Sequence, residues 1–194
     1  MQTNSISKTR TLVECALMIA IGTILAQIKI FTMPYGGSVT LVSMLPFILV
    51  SFRHGVKWGL LTGFVNSLLQ MLLGFYAPPA NTFLAFTGVV LLDYVFAFSL
   101  LGIACVFTKY FSKRIVGVTV GTITVCVIRF LCSFLSGALL WGSYQSSYEW
   151  ANGLNVWAYS FIYNGSYMLP EIILTTICTI ILCISAPKFF DKQK

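Results

Sequence analysis

Three ionisable side chains, Asp93, Arg129 and Glu171, fall inside long apolar stretches of this chain. Counted as helix at ~1.5 Å per residue, each lies roughly 15 to 20 Å from the same end of its stretch, so the three can meet. If these stretches cross a bilayer, a charge at that depth is costly unless it is paired or hydrated, which makes it a functional candidate. Ionised together they sum to minus one, which favours a cationic ligand. The alternative is a structural ion pair in which Arg129 is bound to Asp93 or to Glu171.

A stripe of polar rings leads to one of these charges. Tyr159, Tyr163, Tyr167 and Glu171 recur every four residues, so they share one face of a helix, and Asn164 lies beside it. A polar stripe of this kind is unfavourable against lipid, so we expect it to line a cavity. A cation held over aromatic rings gains about 2 kcal/mol when it is desolvated, so the rings and the carboxylate would act together.

The tryptophans are distributed unevenly. Trp141, Trp150 and Trp157, three of the four in the chain, fall in one loop. An interfacial belt would explain them, because Trp and Tyr favour headgroup depth. A belt should occur at both surfaces, however, and only Trp58 and Tyr110 represent these residue types near the other one. The excess therefore favours a ring-lined site for a flat ligand.

The elements that position these residues are predicted to be membrane helices. The chain is 58% hydrophobic and only 9% charged over 194 residues, whereas about a quarter of residues are charged in soluble domains. We expect an all-α integral membrane protein, a single six-helix domain over residues 1–194. We expect the second span to be short or kinked at Pro46, and the last to tilt or bend at Gly165 and Pro170. Each apolar stretch is near or above the ~17 residues that cross hydrocarbon as a helix; they are 12–30, 37–52, 56–73, 83–107, 116–140 and 158–186.

Basic residues indicate which side of the membrane is cytoplasmic. Ten of the twelve Lys and Arg residues lie in the two tails and in two alternate breaks between spans. By the positive-inside rule these four places face the cytoplasm, so both termini are predicted to be cytoplasmic. The residues are Lys8, Arg10, Arg53, Lys57, Lys109, Lys113, Arg114, Lys188, Lys192 and Lys194.

Several function classes lack the residues that they need. No G-x-x-x-x-G-K-[ST] loop occurs, so ATP-driven work would require partner subunits. No activated nucleophile is visible, so we do not expect an enzyme. The six cysteines form no C-x-x-C pair or cluster with the single histidine, His54, and neither a metal nor a cofactor is expected. We expect His54 in a solvated turn, and the basic residues imply no nucleic-acid partner.

Four segments, taken in order, resemble a known family. The chain is similar to the substrate-binding S-components of energy-coupling-factor (ECF) vitamin transporters, and most specifically to the thiamine-specific members. The resemblance implies a six-helix bundle in the bacterial plasma membrane. It also implies thiamine binding on the outer side, a transmembrane coupling subunit and two ATPase subunits. The segments are Gly36-Gly37-Ser38-Val39-Thr40, Leu92-Asp93-Tyr94, Phe134-Leu135-Ser136-Gly137 and Tyr159-Ser160-Phe161-Ile162-Tyr163-Asn164-Gly165.

The resemblance further implies roles for individual positions. Asp93 stands where relatives place an acidic residue facing the ligand, and Tyr94 follows it as expected. Trp141 matches a tryptophan that stacks on the ligand. Tyr159 and Asn164 match polar contacts from the last helix. We expect the ligand to be held without covalent chemistry, with the loop of residues 34–37 closing over it.

Other matching positions concern the partner and the choice of vitamin. Ala16 and Ala20 match an A-x-x-x-A face that docks the coupling subunit, and small residues at this spacing allow helices to approach closely. Ser133 occupies the place of a histidine, Asn66 that of an aromatic residue and Tyr35 that of a tryptophan. With these departures, a thiamine precursor or analogue would also suit the site.

A transporter of another class would also use the buried charges. In a proton- or cation-coupled carrier that acts alone, Asp93, Arg129 and Glu171 would form the relay. Uptake by this chain without any ATPase would favour that alternative.

Overall fold

The computed structural model describes residues 8–34, 36–80 and 82–190. The described part of the chain is built from helices and one antiparallel β-hairpin. In chain order the elements are α1 (Lys8–Gln27), β1 (Lys29–Thr32), β2 (Ser38–Thr40), α2 (Leu45–His54), α3 (Val56–Gly74), α4 (Phe83–Tyr110), α5 (Arg114–Leu139) and α6 (Val156–Ser185). Short 3₁₀ turns follow α5 at Gly142–Ser147 and Glu149–Ala151, and α6 at Pro187–Phe190.

Five of these helices are long and apolar enough to cross a membrane. They are α1, α3, α4, α5 and α6, with 20, 19, 28, 26 and 30 residues. Their positions coincide with five of the six predicted apolar stretches to within a few residues at most ends. Pro170 lies inside α6, and the helix continues through it.

The predicted helical span over 37–52 is wrong in its first half. Ser38–Thr40 is a β-strand that pairs with Lys29–Thr32, with Thr32 opposite Ser38 and Lys29 opposite Thr40. The remaining helix, α2, has only ten residues and begins with Pro46 in its first turn. Proline fits that position because no intrahelical bond is lost there. The proline therefore starts α2 instead of kinking it, and the end of the predicted first span belongs to the hairpin.

The long helix α4 is not wound uniformly. It is α-helical over Phe83–Val89, π-helical over Val90–Phe96 and tightens to a 3₁₀ helix over Leu100–Tyr110. Asp93 and Tyr94 lie within the π-helical part. Such wide turns are frequent at functional sites because they change where side chains point.

Small residues allow the helices to pack closely. A Cβ on Gly59 of α3 would overlap the backbone of Gly102 in α4, and one on Gly63 would overlap the carbonyl of Phe98. These glycines therefore bring α3 and α4 into close backbone contact, as small residues do between membrane helices. Beneath this contact Ser51 of α2 donates to the Gly102 carbonyl over 2.6 Å.

An ionic cluster closes the end of the bundle that carries Lys8 and Phe190. Glu14 of α1 accepts hydrogen bonds from Arg53 Nε at 2.6 Å and from Arg10 Nε at 3.1 Å. It also lies 2.8 Å from His54 Nε2. The expectation of a solvated His54 is wrong, since its side chain is only 4% exposed. The imidazole is buried because it completes the shell around Glu14.

A ring-walled cavity as candidate ligand site

A cavity of about 440 Å³ lies at the opposite end of the bundle. The β1–β2 hairpin, the end of α3, the middle of α4, the second half of α5 and the first half of α6 form its walls. This volume falls within the range of sites for small organic ligands.

Most of the predicted site residues meet at this cavity. Asn66 does not, because it is fully buried in α3 behind Gln70, whose amide lies 3.5 Å from Asn66 Oδ1. Tyr35 lies outside the described residues. The predicted residues that line the cavity are Asp93, Tyr94, Arg129, Ser133, Trp141, Tyr159, Tyr163, Asn164 and Glu171.

Asp93 presents a half-satisfied carboxylate to the cavity. Its Oδ2 accepts hydrogen bonds from the Ser136 hydroxyl at 2.6 Å and from Trp141 Nε1 at 3.0 Å. Among the described residues, no donor reaches Oδ1. Sequence reasoning gave Ser136 no role, although Arg129, Ser133 and Ser136 follow one another at helical i, i+4 and i+7 spacing. One oxygen of Asp93 is thus fixed by two donors, and the other accepts no hydrogen bond from the described residues.

Two stacked ring pairs contribute to the cavity wall. Trp141 and Tyr144 are 5.9 Å apart between centroids with an interplanar angle of 24°. Phe75 and Tyr94 are 5.5 Å apart at 28°. Tyr94 is held in addition by the Tyr76 backbone N–H, which donates to its hydroxyl over 3.0 Å. Flat aromatic surfaces in fixed orientations suit a planar ligand.

The predicted polar stripe of α6 lines the cavity, and part of it is internally bonded. The Tyr167 hydroxyl donates to Asn164 Oδ1 over 2.7 Å. Asn164 Nδ2 in turn donates to the Ser160 carbonyl over 2.9 Å. These bonds fix the amide, and Oδ1 retains a second lone pair towards the cavity.

Glu171 is bound to the hairpin, and no cation among residues 8–34, 36–80 and 82–190 forms an ion pair with it. Its Oε2 accepts from the Thr40 backbone N–H over 2.7 Å, and its Oε1 accepts from the Thr40 hydroxyl over 2.6 Å. The Ser43 hydroxyl lies 2.7 Å from Thr40 Oγ1. Sequence reasoning missed Thr40 and Ser43 because nothing local links them to a residue in the last helix.

The predicted pair of Arg129 and Glu171 is not formed. The guanidinium carbon of Arg129 lies 4.1 Å from the centroid of the Phe98 ring, a cation–π contact. Its Nε and Nη1 are buried, and no described residue accepts from them. Both oxygens of Glu171 accept hydrogen bonds from Thr40 instead. Asp93 and Glu171 both remain within the electrostatic reach of Arg129.

The charge balance of the whole cavity also differs from the expected minus one. Lys29 of β1 lines the cavity as well, so its wall carries two carboxylates and two cations. Sequence reasoning placed Lys29 at the end of a membrane helix and left it out. Of the Asp93 and Glu171 oxygens in the cavity wall, only Asp93 Oδ1 has no donor from the described residues.

The other loop tryptophans face away from the cavity. Trp150 and Trp157 are 46% and 48% exposed and do not line it. Their positions agree with an interfacial belt. Of the three loop tryptophans, Trp141 alone lines the site.

The sequence matches a family of membrane transport proteins. The family model described as thiamine transporter protein (Thia_YuaJ) matches residues 12–191. The thiamine transporter ThiT of Bacillus subtilis (strain 168) is 36% identical over 197 residues, which cover 94% of this chain and 95% of that protein. The thiamine transporter ThiT of Lacticaseibacillus paracasei is 26% identical over 165 residues, covering 76% of this chain and 74% of the relative.

Solved structures share the fold. A ThiT structure from Listeria monocytogenes superposes with a TM-score of 0.74 at 23% identity, covering 94% of this chain and 98% of that one. An S component of a bacterial ECF transporter superposes with a TM-score of 0.61 at 19% identity, covering 96% and 100%. At these identities the likeness concerns the fold alone.

Proposed function

The chain belongs to the thiamine transporter protein family (Thia_YuaJ), and from that premise we propose that it is the thiamine-binding S-component of an ATP-driven ECF importer. It is a multi-pass protein of the bacterial plasma membrane and a transport protein, not an enzyme. Capture of thiamine from outside the cell, or of a closely related cationic aromatic precursor, is its role in the complex.

The observation that carries the substrate assignment is the arrangement of Asp93 and Trp141. Thiamine combines a flat aromatic ring system with a fixed positive charge. Trp141 and Tyr144 offer the stacking surface, and Asp93 Oδ1 offers the anionic acceptor beside it. A cation between rings and a carboxylate is stabilised more strongly in a desolvated cavity than in water. Tyr159 and Asn164 supply the polar edge.

In this proposal Glu171 and Arg129 do not bind the ligand. Glu171 is occupied by Thr40, and Arg129 stacks on Phe98. A proton relay in a stand-alone carrier needs groups that can exchange protons with one another. The side chains of Asp93, Arg129 and Glu171 make no direct hydrogen bond or ion pair with one another. This favours an energised partner over a self-sufficient carrier.

The proposed docking face lies on α1. Ala16 and Ala20 are exposed and one helical turn apart, and the large apolar residues Leu12 and Leu17 beside them are exposed too. Small residues on an exposed membrane face permit close helix contact. We place this end of α1 at the cytoplasmic side, with both termini, where a transmembrane coupling subunit and two ATPases would engage it.

Two measurements test the proposal. Purified protein is titrated with thiamine, its neutral pyrimidine precursor and riboflavin while tryptophan fluorescence is followed, and tightest binding of thiamine is expected. Proteoliposomes then report uptake with and without the coupling subunit and ATPases. Uptake by this chain alone would replace the ECF assignment with the stand-alone carrier.

A further inference from the structure

One carboxylate of α6 binds the end of the β1–β2 hairpin. Glu171, only 3% exposed, accepts from both the backbone N–H and the hydroxyl of Thr40, at 2.7 and 2.6 Å. Thr40 is the last residue of β2, opposite Lys29 of β1. A bond to this residue therefore fixes where the whole hairpin lies.

The turn that follows β2 is strained at a residue ill suited to its backbone. Val42 has a φ of 57°, the left-handed region that β-branched residues avoid. It stands between Thr40 and Ser43, the two residues that surround the Glu171 carboxylate. Strained backbone persists where neighbouring contacts over-determine it. The hydrogen bonds of Thr40 to Glu171 help to hold this turn, together with backbone bonds such as that from the Leu41 N–H to the Ile28 carbonyl over 3.1 Å.

Further up α6, two tyrosines touch the hairpin turn. The Tyr163 hydroxyl donates to the Gly36 carbonyl over 3.0 Å. The Tyr167 ring lies directly against Gly37, so a side chain there would overlap it. Glu171, Tyr167 and Tyr163 follow at four-residue spacing, so one face of α6 contacts the hairpin along its length.

We propose that Glu171 is a positioning residue: its carboxylate seats the hairpin as a wall of the cavity and does not itself bind the ligand. The consequence for ligand release rests on the proposed function. When the contacts between Glu171 and Thr40 are intact, the hairpin residues Met33, Gly36 and Gly37 line the cavity. When these contacts are lost, the hairpin moves away from α6 and bound ligand dissociates faster.

The first test needs no ligand. Glu171→Met removes both acceptors, whereas Glu171→Gln can keep both contacts, since its carbonyl accepts from the Thr40 N–H and its amide donates to the rotated Thr40 hydroxyl. In hydrogen exchange of the ligand-free protein, amides 38–43 are expected to exchange about tenfold faster in Glu171→Met and within about threefold of wild type in Glu171→Gln. Glu149→Met, at an exposed carboxylate, is the control. Unchanged exchange in Glu171→Met would overturn the proposal.

The second test follows ligand kinetics by stopped-flow fluorescence. Glu171→Met is expected to raise the thiamine dissociation rate about tenfold with little change in the association rate, and Glu171→Gln to restore it. Equal loss of affinity in Glu171→Gln and Glu171→Met would assign Glu171 a charge interaction with the ligand and overturn the positioning role. A wild-type protein that binds no thiamine would refute the proposed function. The hydrogen-exchange result would still show whether Glu171 holds the hairpin in place.

Discussion

The indole nitrogen of Trp141 donates to Oδ2 of Asp93 over 3.0 Å, across 48 positions of sequence. The same indole ring stacks on Tyr144. A ligand that lies against the ring therefore meets the carboxylate at a set distance. Because the Trp141 indole and the Asp93 carboxylate are hydrogen-bonded to each other, a substitution of either residue should also affect the position of the other.

Neutralising the carboxylate is expected to weaken binding of a cation specifically. Asp93→Asn keeps the size of the side chain and removes its charge. We expect the thiamine dissociation constant to rise at least about tenfold, or ~1.4 kcal/mol, with a much smaller change for the neutral pyrimidine precursor. Glu149→Gln, an exposed carboxylate away from the cavity, is the matched control. An unchanged constant in Asp93→Asn would remove this residue from the site.

Tryptophan fluorescence should identify the stacking ring. Trp141→Phe keeps a ring but loses the N–H that fixes Asp93, so thiamine should bind several-fold more weakly, by about 1 kcal/mol. The fluorescence change on titration should largely disappear. In Trp157→Phe, which alters a ring that is 48% exposed, the change should persist. Persistence in Trp141→Phe as well would mean that another tryptophan reports the ligand.

The turn glycine against Tyr167 should be sensitive for a reason beyond backbone angle. Gly37 and Gly153 have similar positive φ values, 89° and 82°, but only Gly37 is crowded by a ring. Replacing either with Ala should cost ~1 kcal/mol of stability from the left-handed backbone. Gly37→Ala should in addition weaken thiamine binding, because the hairpin must move. Thermal unfolding and titration separate the two effects, and equal behaviour of both variants would argue against the crowding.

Enlarging the small face of α1 should uncouple transport from binding. Ala20→Leu adds bulk to an exposed position and is expected to leave the thiamine dissociation constant unchanged. Co-purification with the coupling subunit and ATP-dependent uptake should fall about tenfold or more. Gly165→Leu, where a side chain meets open space, controls for bulk on a membrane helix. Full uptake by Ala20→Leu would place the docking surface elsewhere.

The ionic cluster around Glu14 should matter for stability more than any single cation in it. Glu14→Gln removes the charge at the centre of three contacts, among them the one to Arg53, which is 16% exposed. A loss of about 1 to 3 kcal/mol is expected in unfolding experiments. Arg10→Gln removes a partner that is 61% exposed and should cost under ~0.5 kcal/mol. Equal losses would mean that the cluster is not organised around Glu14.

Much of the architecture could be predicted because each long membrane helix appears in the sequence as a long apolar run. Five long apolar stretches became the five long helices. The hairpin was missed because the strand Ser38–Thr40 is only three residues long and leads into the apolar run of α2, and hydropathy alone does not separate a short strand from a helix there. Gly36-Gly37 was the available signal for a turn.

The cavity residues were predictable where one helix carried a pattern, as in Tyr159, Tyr163 and Tyr167. Contacts between distant elements were not. Thr40 and Glu171 are separated by 131 positions, and no local spacing relates them. The neighbour of Arg129 could not be predicted for the same reason, because the Phe98 ring that it contacts lies on another helix with no local spacing to it.

The wide winding of Val90–Phe96 decides which residues of α4 look into the cavity. In an ordinary α-helix at about 100° per residue, Asp93 and Phe98 would diverge by roughly 140°. The wider π-helical winding of Val90–Phe96, which contains Asp93 and ends two residues before Phe98, narrows that angle, and both residues line the cavity. The same helix, α4, therefore provides both the Asp93 carboxylate and the Phe98 ring that Arg129 contacts. A helical wheel drawn from this sequence would have turned one of them into the lipid.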